Sequence, residues 1–319
     1  MILSASRRTD IPAFYSDWFL NRIKEGFLYV KNPMNAHQIS KINISPDVVD
    51  CIVFWSKNPL PMLDRLDALR DYTYYFQFTL TGYGKDLEAN LPSKPDVLIP
   101  CFQRLSRQLG KERVIWRYDP IAINEKYTMD YHVRAFRSIA DKLADYTEKA
   151  VISFVDLYAK VQRNTANQNL RESSGAEMLD MAGKLAQLAA ERGLIVESCA
   201  EHIDLQSVGV EHGCCIDRKL IERLLGYKLT ISKDKTQRAE CGCFESIDVG
   251  AYNTCKNGCR YCYANFNPTI TAQNAAMYDP ASPLLCGAIG EEDKITERKV
   301  KLLRAADSGQ ISMWDLNAQ

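Results

Sequence analysis

Three cysteines near the C-terminal end of the sequence have a spacing that suits metal chemistry. Cys255, Cys259 and Cys262 form a CxxxCxxC pattern within Cys255–Ala264, which reads CKNGCRYCYA. Three thiolates on one short loop can ligate three irons of a cubane iron–sulfur cluster. The fourth iron is then left without a protein thiolate and can bind a small molecule, whereas a fully ligated cluster suits electron transfer or a structural role.

The main alternative for this motif is a zinc knuckle. Zinc sites usually combine CxxC pairs into a set of four ligands. A CxxxCxxC pattern with an aromatic residue, Tyr261, directly before its last cysteine is uncommon for zinc. The motif therefore favours a cluster over a zinc ion.

At this motif the chain resembles the radical S-adenosylmethionine superfamily, whose signature has the same spacing and an aromatic residue at the position of Tyr261. The string Gly258–Ala264 is similar to the motif of the spore photoproduct lyase branch. The superfamily normally carries the motif after the first strand of a partial β/α barrel, whereas here it follows all the predicted strands. Over nearly its full length the chain resembles a bacterial family of unknown function that pairs an N-terminal barrel with a C-terminal motif of this kind.

The resemblance implies a 4Fe–4S cluster on the three cysteines and S-adenosylmethionine at its open iron, with Asn257, Gly258 and Tyr261 beside the cofactor. Its electrons would come from a flavodoxin- or ferredoxin-like donor. Cleavage of the cofactor would give a 5′-deoxyadenosyl radical that abstracts hydrogen from a substrate, which the sequence does not identify. The superfamily often holds the methionine amino group with a glycine-glycine-glutamate string after the second strand, but Trp55–Pro59 reads WSKNP.

Four further cysteines, Cys199, Cys215, Cys241 and Cys243, are candidates for a second metal site. Cys241 and Cys243 form a CxC pair, which places two thiolates on one side of an extended turn. A set of four cysteines suits either an auxiliary iron–sulfur cluster or structural zinc. We favour the cluster because enzymes of the superfamily often carry one; zinc and ordinary buried thiols are the alternatives. Cys215 is preferred to Cys214, which would face away along an extended segment.

Charged residues after the predicted strands are candidates for catalysis or substrate binding. They are Arg7, Arg8, Lys57, Arg117 and Asp119. Arginine matches the geometry of carboxylates and phosphates, so these side chains suit the cofactor carboxylate or an anionic substrate. A solvated loop or an internal arginine–aspartate pair is the alternative.

Short β-rich runs alternate with amphipathic stretches of helical length along the first 200 residues. The runs are Ile2–Ser6, Cys51–Trp55, Tyr74–Thr81, Arg113–Tyr118, Val151–Leu157 and Ile195–Cys199, and the helices are expected near 15–25, 60–70, 97–109, 129–145 and 175–192. This alternation predicts an α/β fold with a parallel sheet. We expect a partial (β/α)6 barrel, because polar segments follow each run and barrels build active sites from such strand ends. The resemblance implies that this barrel is of the radical S-adenosylmethionine type. A doubly wound open sheet is the alternative.

Two segments are expected to form one catalytic unit. Residues 1–205 would form the partial barrel, and residues 206–319, which are rich in cysteine after a helix near 217–225, would fold over its mouth and carry the cluster motif. An irregular stretch as long as 228–290 is usually functional or disordered in a compact protein.

The composition limits the classes of function. The 319 residues include 40 lysines and arginines and 40 aspartates and glutamates, so net charge does not support nucleic-acid binding. No apolar run is long enough to cross a membrane, and no signal peptide is apparent, so we expect a cytoplasmic protein. Eleven cysteines then indicate metal binding or catalysis. The competing functions are an iron–sulfur electron-transfer or redox-sensing protein and a zinc-stabilised β/α protein.

Overall fold

The strands of the protein form two sheets in the computed structural model, which describes residues 1–265 and 267–305. The strands are β1 (Ile2–Ala5), β2 (Phe27–Asn32), β3 (Asn35–Asn43), β4 (Cys51–Ser56), β5 (Tyr74–Thr79), β6 (Val114–Ile121), β7 (Lys149–Phe154), β8 (Ile195–Ser198), β9 (Glu211–His212), β10 (Ile247–Asp248) and β11 (Lys294–Arg298). Within the described residues the larger sheet has eight strands in the order β10-β1-β4-β5-β6-β7-β8-β9, and each neighbouring pair is parallel. The smaller sheet has the order β11-β3-β2.

The helices lie mostly between the strands of the larger sheet. They are α1 (Ile11–Phe14), α2 (Ser16–Glu25), α3 (Leu60–Leu63), α4 (Ile99–Leu109), α5 (Met129–Leu143), α6 (Ala159–Asn164), α7 (Gly175–Ala190), α8 (Arg218–Leu225) and α9 (Pro268–Ala276). Each of the six predicted β-rich runs overlaps a strand of the larger sheet, so the predicted α/β fold with a parallel sheet is confirmed. Helix α7 begins with a capping box, in which Ser174 and Glu177 each accept a hydrogen bond from the backbone of the other.

One face of the larger sheet is covered by helices. The rings of Phe54 and Phe19 lie 5.4 Å apart, and those of Trp116 and Phe136 stack at 4.6 Å. Because side chains alternate between the two faces of a strand, every second residue of the central strands enters this core. Burial of these aromatic side chains holds α2 and α5 against the sheet.

The opposite face is covered by the chain that follows β8. Val53, Tyr75 and Ile115 of the central strands form a second buried cluster with Leu220 and Ile221 of α8. The cysteine-rich segment therefore packs on the sheet itself, on the face that the helices between the strands leave uncovered.

The C-terminal segment also contributes strands to both sheets. Strand β9 pairs with β8 at one edge of the larger sheet, and β10 pairs with β1 at the other. Strand β11 pairs in parallel with β3 in the smaller sheet. The two predicted segments, 1–205 and 206–319, are thus joined by backbone pairing, although residues 306–319 lie outside the described residues.

The hairpin β2–β3 was not predicted. Its strands are antiparallel over Phe27–Asn43, and most of their residues are half-buried or exposed. Half-buried strands lack the continuous apolar runs that mark the central strands of a parallel sheet, which is why this hairpin left a weaker signal. Among the described helices, none is both long and apolar enough to cross a membrane.

Candidate metal centres

The CxxxCxxC loop lies against the carboxyl ends of the first strands of the larger sheet. Asn257 donates a hydrogen bond of 2.9 Å from its side chain to the carboxylate of Asp10, which follows β1. The same carboxylate accepts bonds from the Ser56 hydroxyl at 2.7 Å and the Lys57 backbone at 2.8 Å, both at the end of β4. Asp10 is buried, so it links the two strand ends to the loop through fully enclosed hydrogen bonds.

A second buried contact fixes the other half of the loop. The Tyr261 hydroxyl donates to Glu88, whose carboxylate also accepts bonds from Lys57 Nζ at 2.8 Å, Lys94 Nζ and Thr81 Oγ1. Burial by itself would raise the pKa of Glu88, but the two ammonium groups outweigh it and lower that pKa to about 2. Glu88 is therefore an ionised carboxylate beside the loop.

The glycine of the motif has a structural requirement. Gly258 has a φ of +68°, in the left-handed region that side chains disfavour. A Cβ at this position would also lie 2.9 Å from the Asn90 side-chain nitrogen. The backbone of Arg260 donates to the Leu87 carbonyl at 2.9 Å, so the loop follows the chain after β5 closely.

The three thiols of the motif interact with one another electrostatically. Burial raises the pKa of Cys255, Cys259 and Cys262, to about 12 for Cys259, while the Lys57 ammonium opposes this rise at Cys259 and Cys262. As free side chains they are protonated thiols near neutral pH. Metal binding must therefore displace protons from them.

Backbone N–H groups point at two of these sulfurs. The sulfur of Cys255 accepts from the Asn257 backbone, and that of Cys262 accepts from the Ala264 and Asn265 backbones. Such donors lower the thiol pKa because they stabilise the thiolate form. The donor set, three thiols on a loop with amide donors and a lysine, is chemically suited to an iron–sulfur cluster.

Within residues 1–265 and 267–305, no group of three or more histidine, cysteine, aspartate or glutamate side chains is arranged so that it could hold a metal ion in its present position. To bind a metal, either cysteine group would have to adjust its side chains. A cubane cluster also needs a wider arrangement than a single ion, because each of its thiolates binds a different iron.

The second cysteine group comes together on the sheet face covered by α8. The Cys199 and Cys215 sulfurs lie 3.3 Å apart. The Cys243 sulfur accepts from the Cys215 backbone N–H at 3.2 Å, and the Cys241 and Cys243 thiols shift each other's pKa. Arg117 donates to the Cys215 sulfur at 2.8 Å.

A cavity of about 810 Å³ lies where the edge of the larger sheet approaches the smaller sheet. Its described lining includes seven basic side chains, Arg7, Arg8, Lys31, Lys235, Arg298, Lys299 and Lys301, and three acidic ones, Asp234, Glu245 and Asp248. Tyr263, next to the last cysteine of the motif, also lines it and donates to the Arg7 carbonyl at 2.9 Å. The cavity therefore shares a wall with the CxxxCxxC loop and carries an excess of positive charge.

The chain matches the model of the family described as a domain of unknown function, DUF1848, over residues 2–264. That range covers most of the chain and includes both cysteine groups. The chain belongs to the DUF1848 family. No curated protein matches it.

The predicted charged residues of this DUF1848 protein fall into two groups. Arg7 and Arg8 line the cavity, and Lys57 lies under the CxxxCxxC loop. Arg117 and Asp119 instead bind each other, with 2.9 Å between Arg117 Nε and Asp119 Oδ2, which is the internal pair given as their alternative. Arg117 is buried against the second cysteine group.

Sequence reasoning missed Glu88 and Lys94. Both lie in the chain that follows β5, well beyond the polar segment directly after that strand. The available signal was a carboxylate and a lysine close together in a loop after a parallel strand. That signal is common in surface loops, and only the tertiary contact with Tyr261 distinguishes it here.

Proposed function

We propose that this DUF1848 protein is a radical S-adenosylmethionine enzyme with its catalytic 4Fe–4S cluster on the CxxxCxxC loop. The supporting observation is that Asn257 and Tyr261 of the loop are bound by buried hydrogen bonds to Asp10, which follows β1, and Glu88, which follows β5; these two parallel strands lie on either side of β4. In α/β folds the carboxyl ends of parallel strands are where active sites are built.

The three cysteines of the loop would hold three irons of the cluster. When bound, the cluster and S-adenosylmethionine supply reductive cleavage of a carbon–sulfur bond and the 5′-deoxyadenosyl radical for hydrogen abstraction. The chain's own part is to fix the loop. Lys57 bonds both Glu88 and Tyr261, so one buried network holds the aromatic residue of the motif in place.

The sheet supports a partial β/α barrel as the finer description of the fold. In the larger sheet, β1, β4, β5, β6, β7 and β8 are neighbours in sequence order, without the reversal that defines a doubly wound sheet. Helices cover one face, and the chain around α8 covers the other. Residues 206–305 would then close the inner side of an open barrel.

The basic cavity favours an anionic substrate. Arg8 lines it with its guanidinium carbon 5.2 Å from the centre of the Tyr252 ring and its Nε 4.0 Å from Asp248 Oδ1, which leaves its terminal nitrogens for a ligand. Arginine at such a position binds carboxylate or phosphate oxygens. We expect Arg8→Gln to weaken binding of pyrophosphate, measured by calorimetry, and Lys184→Gln on the exposed side of α7 to leave it unchanged. Equal binding by both variants would contradict an anionic substrate in this cavity.

A small reducing protein of the flavodoxin or ferredoxin class would supply electrons, and such a system would operate in the cytoplasm.

The proposal requires the loop, and no other cysteines, to bind the catalytic cluster. Its test is iron and sulfide analysis after anaerobic reconstitution of wild type and of the Cys255→Ala/Cys259→Ala/Cys262→Ala triple variant.

The wild type should contain about four irons and four sulfides per chain more than the triple variant, as expected for one cubane cluster. Cys286→Ser, which replaces another half-buried cysteine of the C-terminal segment, serves as the control and should match the wild type. Equal iron in wild type and triple variant would reject the assignment. A zinc ion lost from the triple variant would instead indicate a zinc-stabilised protein.

A further inference from the structure

We propose that Cys199, Cys215, Cys241 and Cys243 form a tetrahedral binding site for a single zinc ion. The four residues come from three separate parts of the chain: the end of β8, the segment after β9, and the CxC pair that precedes β10. This site is independent of the radical chemistry proposed above, and it lies on the sheet face that α8 covers.

The spacing of the sulfurs favours one ion over a cluster. Zinc–sulfur bonds of about 2.3 Å place the sulfurs of a tetrahedral site roughly 3.8 Å apart. The Cys199 and Cys215 sulfurs are 3.3 Å apart, and the Cys243 sulfur lies 3.2 Å from the Cys215 backbone nitrogen. Cubane thiolates bind different irons and are more widely separated. Binding of an ion would require the Cys199 and Cys215 sulfurs to separate by roughly half an ångström.

Hydrogen-bond donors already surround the sulfurs. The backbone N–H groups of Cys215 and Ile216 donate to the Cys243 sulfur at 3.2 and 3.5 Å. The buried Arg117 guanidinium donates to the Cys215 sulfur and is held by Asp119. Four thiolates on a divalent ion carry a net charge of about −2, and amide and guanidinium donors offset such a charge at metal centres.

The two cysteine-bearing loops are also in close contact. A Cβ on Gly242, between the two cysteines of the CxC pair, would lie 2.9 Å from the Gly213 carbonyl oxygen and 3.3 Å from the Cys214 Cβ. Glycine therefore allows the backbones to approach. Cys214 itself makes no sulfur hydrogen bond to the four in the described structure, so it provides a matched control.

All four positions of the proposed site are filled by protein, which makes it a closed, structural site rather than a catalytic one. The ion would join the end of β8 to the segments on either side of α8. Because structural zinc contributes its binding free energy to folding, its removal should loosen this part of the fold.

The test begins with the full-length triple variant Cys255→Ala/Cys259→Ala/Cys262→Ala, purified anaerobically from cells supplied with both iron and zinc. This background keeps the result independent of the catalytic cluster. Elemental analysis should find about one zinc per chain and no matching iron and sulfide. Adding Cys241→Ser and Cys243→Ser should remove the zinc, whereas adding Cys214→Ser should leave it bound.

Cobalt substitution in the same triple variant, with Cys199, Cys215, Cys241 and Cys243 unaltered, avoids any question of whether the serine variants fold. Cobalt at the site should give the strong visible absorption of tetrahedral thiolate coordination, and zinc should displace it. Iron with an equal amount of sulfide in the triple variant would overturn the proposal in favour of an auxiliary cluster. Absence of bound metal, with the four cysteines recovered as thiols or as a disulfide, would overturn it as well.

Discussion

Glu88 connects the CxxxCxxC loop to the sheet through one buried carboxylate. It accepts hydrogen bonds from two ammonium groups and a tyrosine hydroxyl, with 1% of its side chain exposed. Removing one partner of a buried ion pair is costly because the other charge is left uncompensated. Lys57 and Lys94 would both lose their counter-ion if this charge were removed.

We therefore expect Glu88→Gln to lower the free energy of unfolding by about 3–5 kcal/mol, measured by urea denaturation near neutral pH. Asp180→Asn is the control, since Asp180 forms an exposed ion pair with Lys184 on the surface of α7. The control should cost about 0–1 kcal/mol. Equal effects of the two substitutions would show that the buried network does not stabilise the fold.

Among individual residues, the cysteines of the motif could be predicted from the sequence, whereas the residues that hold the loop in place could not. The spacing of Cys255, Cys259 and Cys262 is local, so the sequence displays it directly. Glu88 gains its partners only through tertiary contacts, because Tyr261 follows it by 173 residues. The preference for Cys215 over Cys214 came from strand geometry, and the Cys215 sulfur lies 3.3 Å from the Cys199 sulfur.

Helix α5 contains a histidine whose burial makes the stability of the fold depend on pH. His132 is fully buried, and its ring nitrogens contact the Tyr118 hydroxyl at 2.9 Å and the Ala122 carbonyl at 3.0 Å. Burial lowers the pKa of His132 from 6.5 to about 4, which only the Ala122 contact opposes. The folded protein therefore binds fewer protons here than the unfolded chain does between these values.

The contribution of neutral His132 to stability is complete above pH 6.5 and is lost as the pH falls towards 4. We expect a loss on the order of 3 kcal/mol across this window. Glutamine does not titrate, so His132→Gln should flatten the plot of the urea midpoint against pH between pH 6.5 and 4. This holds even if the substitution changes the overall stability of the protein. His37→Gln, at an exposed histidine, is the control; a slope in His132→Gln equal to that of wild type would contradict the prediction.

The strands and helices of the larger sheet were predictable because their periodicity is strong. Buried parallel strands are continuous apolar runs, and α7 carries both its capping box and its apolar stripe in the sequence. Strands β9 and β10 have two residues each, too few for a periodic signal. Their existence depends on pairing with β8 and β1, which no local pattern encodes.

At the scale of the whole molecule, the described part of the C-terminal segment is bound to the first strand of the larger sheet. Asp248 on β10 accepts hydrogen bonds from the side chains of Ser4 and Ser6 and from the Arg7 backbone, so the C-terminal segment binds the strand that begins the chain. Sequence analysis predicted that this segment would fold back on the sheet. It did not predict that the segment would extend both sheets, because chain order carries no information on edge pairing.

Cleavage of S-adenosylmethionine by the full-length protein is the most direct test of the proposed radical chemistry. Anaerobically reconstituted wild type, reduced with dithionite and given S-adenosylmethionine alone, should form 5′-deoxyadenosine slowly, detected by mass spectrometry. The Cys255→Ala/Cys259→Ala/Cys262→Ala variant should form none above the protein-free control, and Cys214→Ser should retain the activity. Absence of 5′-deoxyadenosine from wild type that carries its full iron and sulfide, or equal formation by the triple variant, would contradict the proposed function.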